Sequence, residues 1–397
     1  MSGLFFSGAA EDPANAVSIQ VGNQRISGWE SLAISRSVEA MPNQFMLTMS
    51  DQYPQDPNRL TLYPGQTANP STVYIGDDVV ITGYVDRCMM GAAPNRHEIT
   101  ITGRGLCQDL VDCSADLLQT HELQGATFSA ENVLDAAHKL AKPFGISARS
   151  AVSDLGKQIP PFTISIGETS YQVLERICRY AGFLLYEDEN GTLVLDRVGT
   201  TKHASGFSMP GNIENARSEL AIDQRYSVYI ATWQSVLNLE TIDALDSQAG
   251  RADDLEMPRY RPLFFQCEMG DSDVSLAKRR AEWELKRRRG RSQSVFITCD
   301  SWRDSEGKLW TPNYRAPINA PALKMSNTEW LIGAVTYRKD LSGTHADLVL
   351  MPPEAYDPEP SPLNLWDREM AAGVPSLQTP PPSGTPGDAT GDPQTRR

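Results

Sequence analysis

Between Val17 and Arg104 apolar side chains alternate with polar ones. Phe45, Leu47 and Met49 form one such set, and Val79, Ile81 and Val85 another. A period of two is that of a half-buried β-strand. Gly76-Asp77-Asp78 marks a tight turn ahead of the second set, and Pro54, Pro57, Pro64 and Pro70 separate short strands. Short strands punctuated in this way favour a small barrel or sandwich.

The period then lengthens. After Ser129, read as an N-cap, Val133, Leu134, Ala137, Leu140 and Ala141 fall on one helical stripe that Lys142-Pro143-Phe144-Gly145 stops. Phe162, Ile164 and Ile166 alternate as a strand. Thr169-Ser170-Tyr171-Gln172 has capping-box spacing and opens a second helix, with Val173, Leu174, Ile177 and Ala181 inward and Gly182 at its end. Phe183 to Tyr186 and Leu193 to Leu195 flank Asn190-Gly191 as a hairpin. These elements make a compact α+β unit, and Gly199, Gly206 and Gly211 mark its exit linker.

Strand alternation returns with Ile222, Tyr226, Val228 and Ile230, and again with Val295, Ile297 and Cys299. Between them an acidic stretch from Glu240 to Glu256 reads as mobile, and a helix follows from about Asp273 to Arg289. From Pro352 onward the chain is Pro-rich and poor in apolar groups, too poor to offset its ordering entropy, and is expected to be disordered. Pro362-Leu363-Asn364-Leu365-Trp366 is an apolar island within it, with Trp366 placed to dock on a partner.

One pattern occurs twice. Ile81-Thr82-Gly83-Tyr84-Val85 leads to His97-Glu98-Ile99-Thr100-Ile101, and Leu331-Ile332-Gly333-Ala334-Val335 leads to His345-Ala346-Asp347-Leu348-Val349. Both read as a Gly-containing strand, a turn and a strand, which suggests duplication. The expected fold is a multi-domain α+β chain. It has a first β-barrel-like module at 14–114, an inserted α+β domain at 115–200, a second β-barrel-like module with one helix at 201–351, and a disordered tail at 352–397.

Composition narrows the chemistry. The net charge of −14 repels phosphate, which opposes sequence-independent nucleic-acid binding. No apolar run is long enough to span a membrane, and no export signal is read. The cysteines form no CxxC pair and the histidines no HxxxH or HExxH pattern, so neither a metal nor a cofactor is expected. Gly103-Arg104-Gly105 lacks the remaining residues of a phosphate loop and reads as a strand exit, and no GxSxG elbow occurs. Asp77-Asp78 and Asp253-Asp254 read as turn and loop carboxylates. No catalytic residue is assigned.

The helix near residue 280 carries Lys278, Arg279, Arg280, Lys286, Arg287, Arg288 and Arg289. These residues suit either nucleic acid or, preferably, a solvated helix whose basic end faces the negative pole of its dipole. Val274, Ala277, Ala281 and Leu285 form a stripe that docks it on its own barrel. Leu276 and Trp283 lie on the opposite face, as a stray exposed pair or, preferably, as a contact with another subunit.

Trp29-Glu30-Ser31-Leu32-Ala33-Ile34-Ser35-Arg36-Ser37-Val38-Glu39, with Pro42 and Phe45-Met46-Leu47 after it, resembles the opening of Mu-like phage tail proteins of the P family, the baseplate hub proteins of contractile tails. Gly76-Asp77-Asp78 through Gly83-Tyr84-Val85-Asp86, His97 to Arg104, and Asp109-Leu110-Val111-Asp112-Cys113-Ser114 are similar to that family's most recognisable block. Gly167-Glu168-Thr169, Val173-Leu174-Glu175-Arg176-Ile177 and Trp310-Thr311-Pro312-Asn313 extend the likeness over roughly Val17 to Leu350. The resemblance implies a homotrimer whose paired modules make a pseudo-sixfold ring. Such a ring joins the hexameric tail tube protein to a trimeric spike protein among other baseplate proteins, and DNA passes its lumen without specific binding. The location implied is the virion baseplate, assembled in the bacterial cytoplasm. The alternative is a peptidoglycan-binding or peptidoglycan-hydrolysing tail component.

Overall fold

The computed structural model describes residues 13–359 except 23, 51–69, 95, 117–126, 157, 233–248 and 268–273. Its centre is a 13-stranded sheet. Ten of those strands fall into two sets of five. The first set is β1 (Ser31–Ser37), β2 (Gln44–Ser50), β3 (Ser71–Ile75), β4 (Asp78–Ala93) and β5 (Arg96–Gly105). The second is β6 (Ile213–Leu220), β7 (Gln293–Cys299), β8 (Arg315–Ala320), β9 (Met325–Asp340) and β10 (Gly343–Met351). Across the sheet they lie as β1-β2-β5-β4-β3 and β6-β7-β10-β9-β8, antiparallel throughout.

The likeness extends to register. β4 and β9 are each 16 residues long. Each carries a bulge against its hairpin partner, between Val85 and Arg87 in one and between Ile332 and Ala334 in the other. From the bulge to the turn the ladders run equal lengths, Arg87 to Ala93 and Ala334 to Asp340. Arg87 therefore corresponds to Ala334, and Gly333 corresponds to Asp86, not to Gly83 as the sequence repeat suggests.

The two sets do not close as separate barrels. β9 of the second pairs with β1 of the first, from Ala334 opposite Ser37 to Lys339 opposite Leu32. The edge that a separate barrel would close upon itself instead joins the modules, and among the described residues the sheet stays open, with β8 branching from β9. One core runs through both halves, with Ile34, Leu47 and Ile101 from the first and Ile297, Val335 and Leu348 from the second.

Two units leave the sheet at one end. After β5 comes the α+β unit, with α1 (Val133–Ala141), α2 (Ser170–Ala181) and two small sheets. Ser129 proves to lie in the strand Thr127–Ala130, and Asn132 caps α1 instead by accepting from the Leu134 and Asp135 amides. The capping box at Thr169 and Gln172 and the left-handed Gly182 of α2 form as expected. The strand near Phe162 runs Ile159–Thr163 and leaves Ile166 exposed.

Between β6 and β7 a second unit is inserted. Val228–Thr232, expected in the second module, instead heads a separate three-stranded sheet with Ala249–Asp253 and Pro262–Gln266. The acidic stretch is thus partly a strand, with residues 240–248 outside the described ones. Helix α3 (Val274–Arg291) packs Ala277 and Ala281 on this sheet beside Tyr229 and Ala231, rather than on the large sheet. The chain also continues past the expected boundary at residue 351. Pro353–Tyr356 is a 3-10 turn with Ala355 and Tyr356 buried, because it covers the middle of β9 at Leu331 and Gly333 and the end of α3 at Gly290. The turns of the β4–β5 and β9–β10 hairpins lie at the opposite end of the sheet from both insertions.

Candidate assembly interface

Five arginines of α3 are spent within the chain. Arg287 and Arg291 donate to the Asp357 and Ala355 carbonyls at 3.0 and 3.3 Å and both pair with Glu39. Arg280 pairs with Glu284 and Glu359, and Arg289 with Glu256. Lys278, Arg279 and Lys286 remain exposed. The arginines therefore fasten the C-terminal segment and the Val38–Asn43 turn to the helix.

Trp283, expected to face another subunit, belongs to this fastening. Its indole N–H donates to the Asp357 carbonyl at 2.8 Å, and the Arg280 and Arg287 guanidiniums lie 4.4 and 5.3 Å from its ring centroid. Donor and ring face are both engaged inside the chain, and the half-buried ring's contact with another subunit stands as a proposal. The Leu276 side chain and Trp366 lie outside the described residues.

A second joint ties the α+β unit to the sheet. Glu187, at the end of the strand Leu184–Glu187, is buried, and its carboxylate accepts from the Cys107 amide at 2.8 Å and the Asn43 amide at 2.9 Å. Its own carbonyl accepts from Asn43 Nδ2 at 3.1 Å. Gly105 makes room, since a Cβ there would fall within the carboxylate. Sequence reading missed this residue, because an acidic strand end beside a turn carries no signal of a partner 144 residues away.

Burial pushes the Glu187 carboxyl up to about 7, against the pull of the two amides. The folded state therefore holds a proton that the unfolded state releases nearer the ordinary carboxylate value. This contribution to stability is complete below that value and is lost as pH rises through about 7. Between pH 5 and pH 8 the natural chain is expected to lose about 2 kcal/mol more stability than Glu187→Gln. Denaturant titrations of both proteins at the two pH values check this, and equal pH slopes would refute it.

The face of the large sheet turned away from the core is lined by hydroxyls and paired charges. Ser35 bonds Thr336 at 2.9 Å, Thr48 bonds Thr100 at 3.1 Å, and Thr298 donates to Asp347 at 2.8 Å. Arg104 pairs with Asp86 and Asp112, and Arg338 with Asp340 and Asp347. Gly103-Arg104-Gly105 is thus a strand exit whose cation is already satisfied. The large apolar groups left exposed on the ten strands include Met46 of β2, Met89 and Met90 of β4 and Leu220 of β6.

Comparison with known proteins follows this layout. The model for Mu phage baseplate assembly protein GpP-like, N-terminal, matches residues 16–105, which contain the first five strands. The model for baseplate hub protein gp44-like, second domain, matches 107–197, and that for Mu phage baseplate assembly protein GpP, fourth domain, matches 273–359. The chain belongs to the Mu-like baseplate hub family. It is 28% identical over 353 residues to baseplate hub protein gp44 of Escherichia phage Mu, covering 86% of this chain and 89% of that protein. The 43 kDa tail protein of prophage MuSo2 from Shewanella oneidensis has a similar structure, with TM-score 0.74 and 28% identity over 86% of this chain and 99% of that one. The tail protein of Neisseria meningitidis MC58 shares the fold, with TM-score 0.69 and 23% identity over 87% and 99%.

Proposed function

We propose that this hub-family chain is a structural subunit of a contractile-tail baseplate, three copies of which form a pseudo-sixfold ring between the hexameric tail tube and a trimeric spike. The observation that carries the reading is the repeated order β1-β2-β5-β4-β3 and β6-β7-β10-β9-β8, joined edge to edge within one chain. The joint uses unlike strands, the first of one set and the fourth of the other, so it is heterologous. Such contacts propagate and close into rings. Six equivalent modules then come from three chains.

The domain division at 14–114, 115–200 and 201–351 is part of the same reading, with the last unit extended to take in Tyr356. The hydroxyl-rich face, whose Arg104 and Arg338 are already neutralised, suits a lumen through which DNA slides without adhering. Catalysis has no part in this role. The ring would be built in the bacterial cytoplasm and carried in the virion tail.

Light scattering or mass photometry of the purified full chain, alone and with tail tube protein, tests the reading. Three chains per particle are expected. A monodisperse monomer or twofold dimer at micromolar concentration, with no trimer on adding tube protein, would overturn it.

A further inference from the structure

Residues 352–359 lie on the rest of the molecule as a bound peptide lies in its site. Pro352, Pro353 and Pro358 have no N–H to give. Among the described residues no backbone-to-backbone hydrogen bond joins the segment to the body; the Ala355 amide donates to the Pro352 carbonyl within it at 3.0 Å. Side chains hold it instead, by its carbonyls. That of Asp357 accepts from Trp283 Nε1 and Arg287 Nη1, and that of Ala355 from Arg291 Nε.

Tyr356 is the anchor. Its ring packs with Val38, Leu331, Tyr186 and Val198, and only the missing Cβ of Gly333 admits the phenol. Gly290 admits the backbone at Ala355 in the same way. Beyond the anchor, Glu359 pairs with Arg280 of α3 and Arg179 of α2. An aromatic group in a fitted pocket, carbonyls met by fixed donors and an acid between two arginines are the parts of a peptide-recognition site.

We infer that this groove is a peptide-binding site, filled in cis by residues 352–359, and that the segment is a latch able to leave it without unfolding the body. The ligand class is a short peptide with a tyrosine, an accepting carbonyl at the next residue and an acid two residues after that. Opening breaks no strand ladder, because the bonds that hold the latch come from side chains. Closed, it ties α2 to α3 through Glu359, so the two insertions are held together by a segment that belongs to neither. The inference does not depend on the ring.

A fluorescein-labelled synthetic peptide of residues 352–359 is titrated by anisotropy into full-length chains. In the natural chain the latch competes from within, so the apparent affinity falls by the fraction of grooves left empty. Tyr356→Ala removes the anchor of the cis latch. Glu359→Arg sets a third cation against Arg179 and Arg280 and leaves the buried residues in place. Each variant chain that keeps the natural circular-dichroism spectrum should bind the peptide at least about tenfold more tightly than the natural chain does. The peptide carrying Tyr356→Ala should bind those variants at least about tenfold more weakly.

A folded variant with no saturable binding, or a natural chain that binds as tightly as the variants, overturns the inference. Equal binding of the two peptides also overturns it, since the tyrosine would then be no anchor. If Tyr356→Ala does not fold, Glu359→Arg decides alone, because the Glu359 side chain is partly exposed and outside the core.

Discussion

Tyr356→Ala is expected to lower the unfolding free energy by about 3–5 kcal/mol, the range for removing a buried aromatic ring. The ring is 1% exposed and lies where three units meet, against Val38 of the first module, Tyr186 and Val198 of the α+β unit, and Leu331 of the second module. Its fit depends on two glycines. A Cβ at Gly333 would strike the phenol, and one at Gly290 would come within 2.6 Å of the Ala355 amide. The phenol hydroxyl is buried with no hydrogen-bond partner among the described residues. Tyr356→Phe should therefore change stability by less than about 1 kcal/mol. Denaturant unfolding followed by circular dichroism separates the two variants. If the alanine variant is no weaker than the phenylalanine one, the segment after Met351 is not part of the core.

Asp254→Ala is expected to cost about 3 kcal/mol, because it strips a buried cation of its main partner. Arg225 reaches Asp254 with two guanidinium nitrogens at 2.6 and 3.1 Å, and their side chains are 10% and 2% exposed. Glu256, half exposed, also touches Arg225 at 2.8 Å and keeps the loss from being larger. The double variant Arg225→Met with Asp254→Leu should recover most of the stability, since a paired apolar replacement leaves no charge stranded. The same unfolding measurement on the three proteins decides the matter. A double variant as weak as Asp254→Ala would show that the pair stabilises by something other than mutual neutralisation.

Much of the sheet was legible because alternation and turn residues are local signals. Phe45 and Leu47 are buried as the period of two requires, and the capping box at Thr169 starts a helix where its spacing places one. The duplication was legible only in outline. Its two conspicuous glycines occupy non-equivalent positions for different reasons. Gly83 lets the strand pass the Arg104 carbonyl, whereas Gly333 sits at a bulge beneath Tyr356. Matching one to the other shifts the alignment by three residues, and only the ladder register corrects it.

The intrachain bonding of Trp283 was illegible for a related reason. Helical periodicity shows which side chains share a face but not what arrives there from elsewhere in the chain. Here the arrival is Asp357, from a Pro-rich stretch whose composition hides a single buried turn. The Arg225–Asp254 and Glu187 joints were invisible for the same reason, as each links residues far apart in sequence.

Both insertions and the C-terminal turn leave the large sheet at one end, and the two long hairpins turn at the other. Both insertions have thus entered the duplicated framework where they do not interrupt a ladder. The end bearing the insertions can gain, lose or exchange whole units while the strand register stays intact. The hairpin end, where the turn near Pro94 answers the one at Leu341-Ser342, can change only if both copies change together, or else the two halves cease to be interchangeable to whatever meets them.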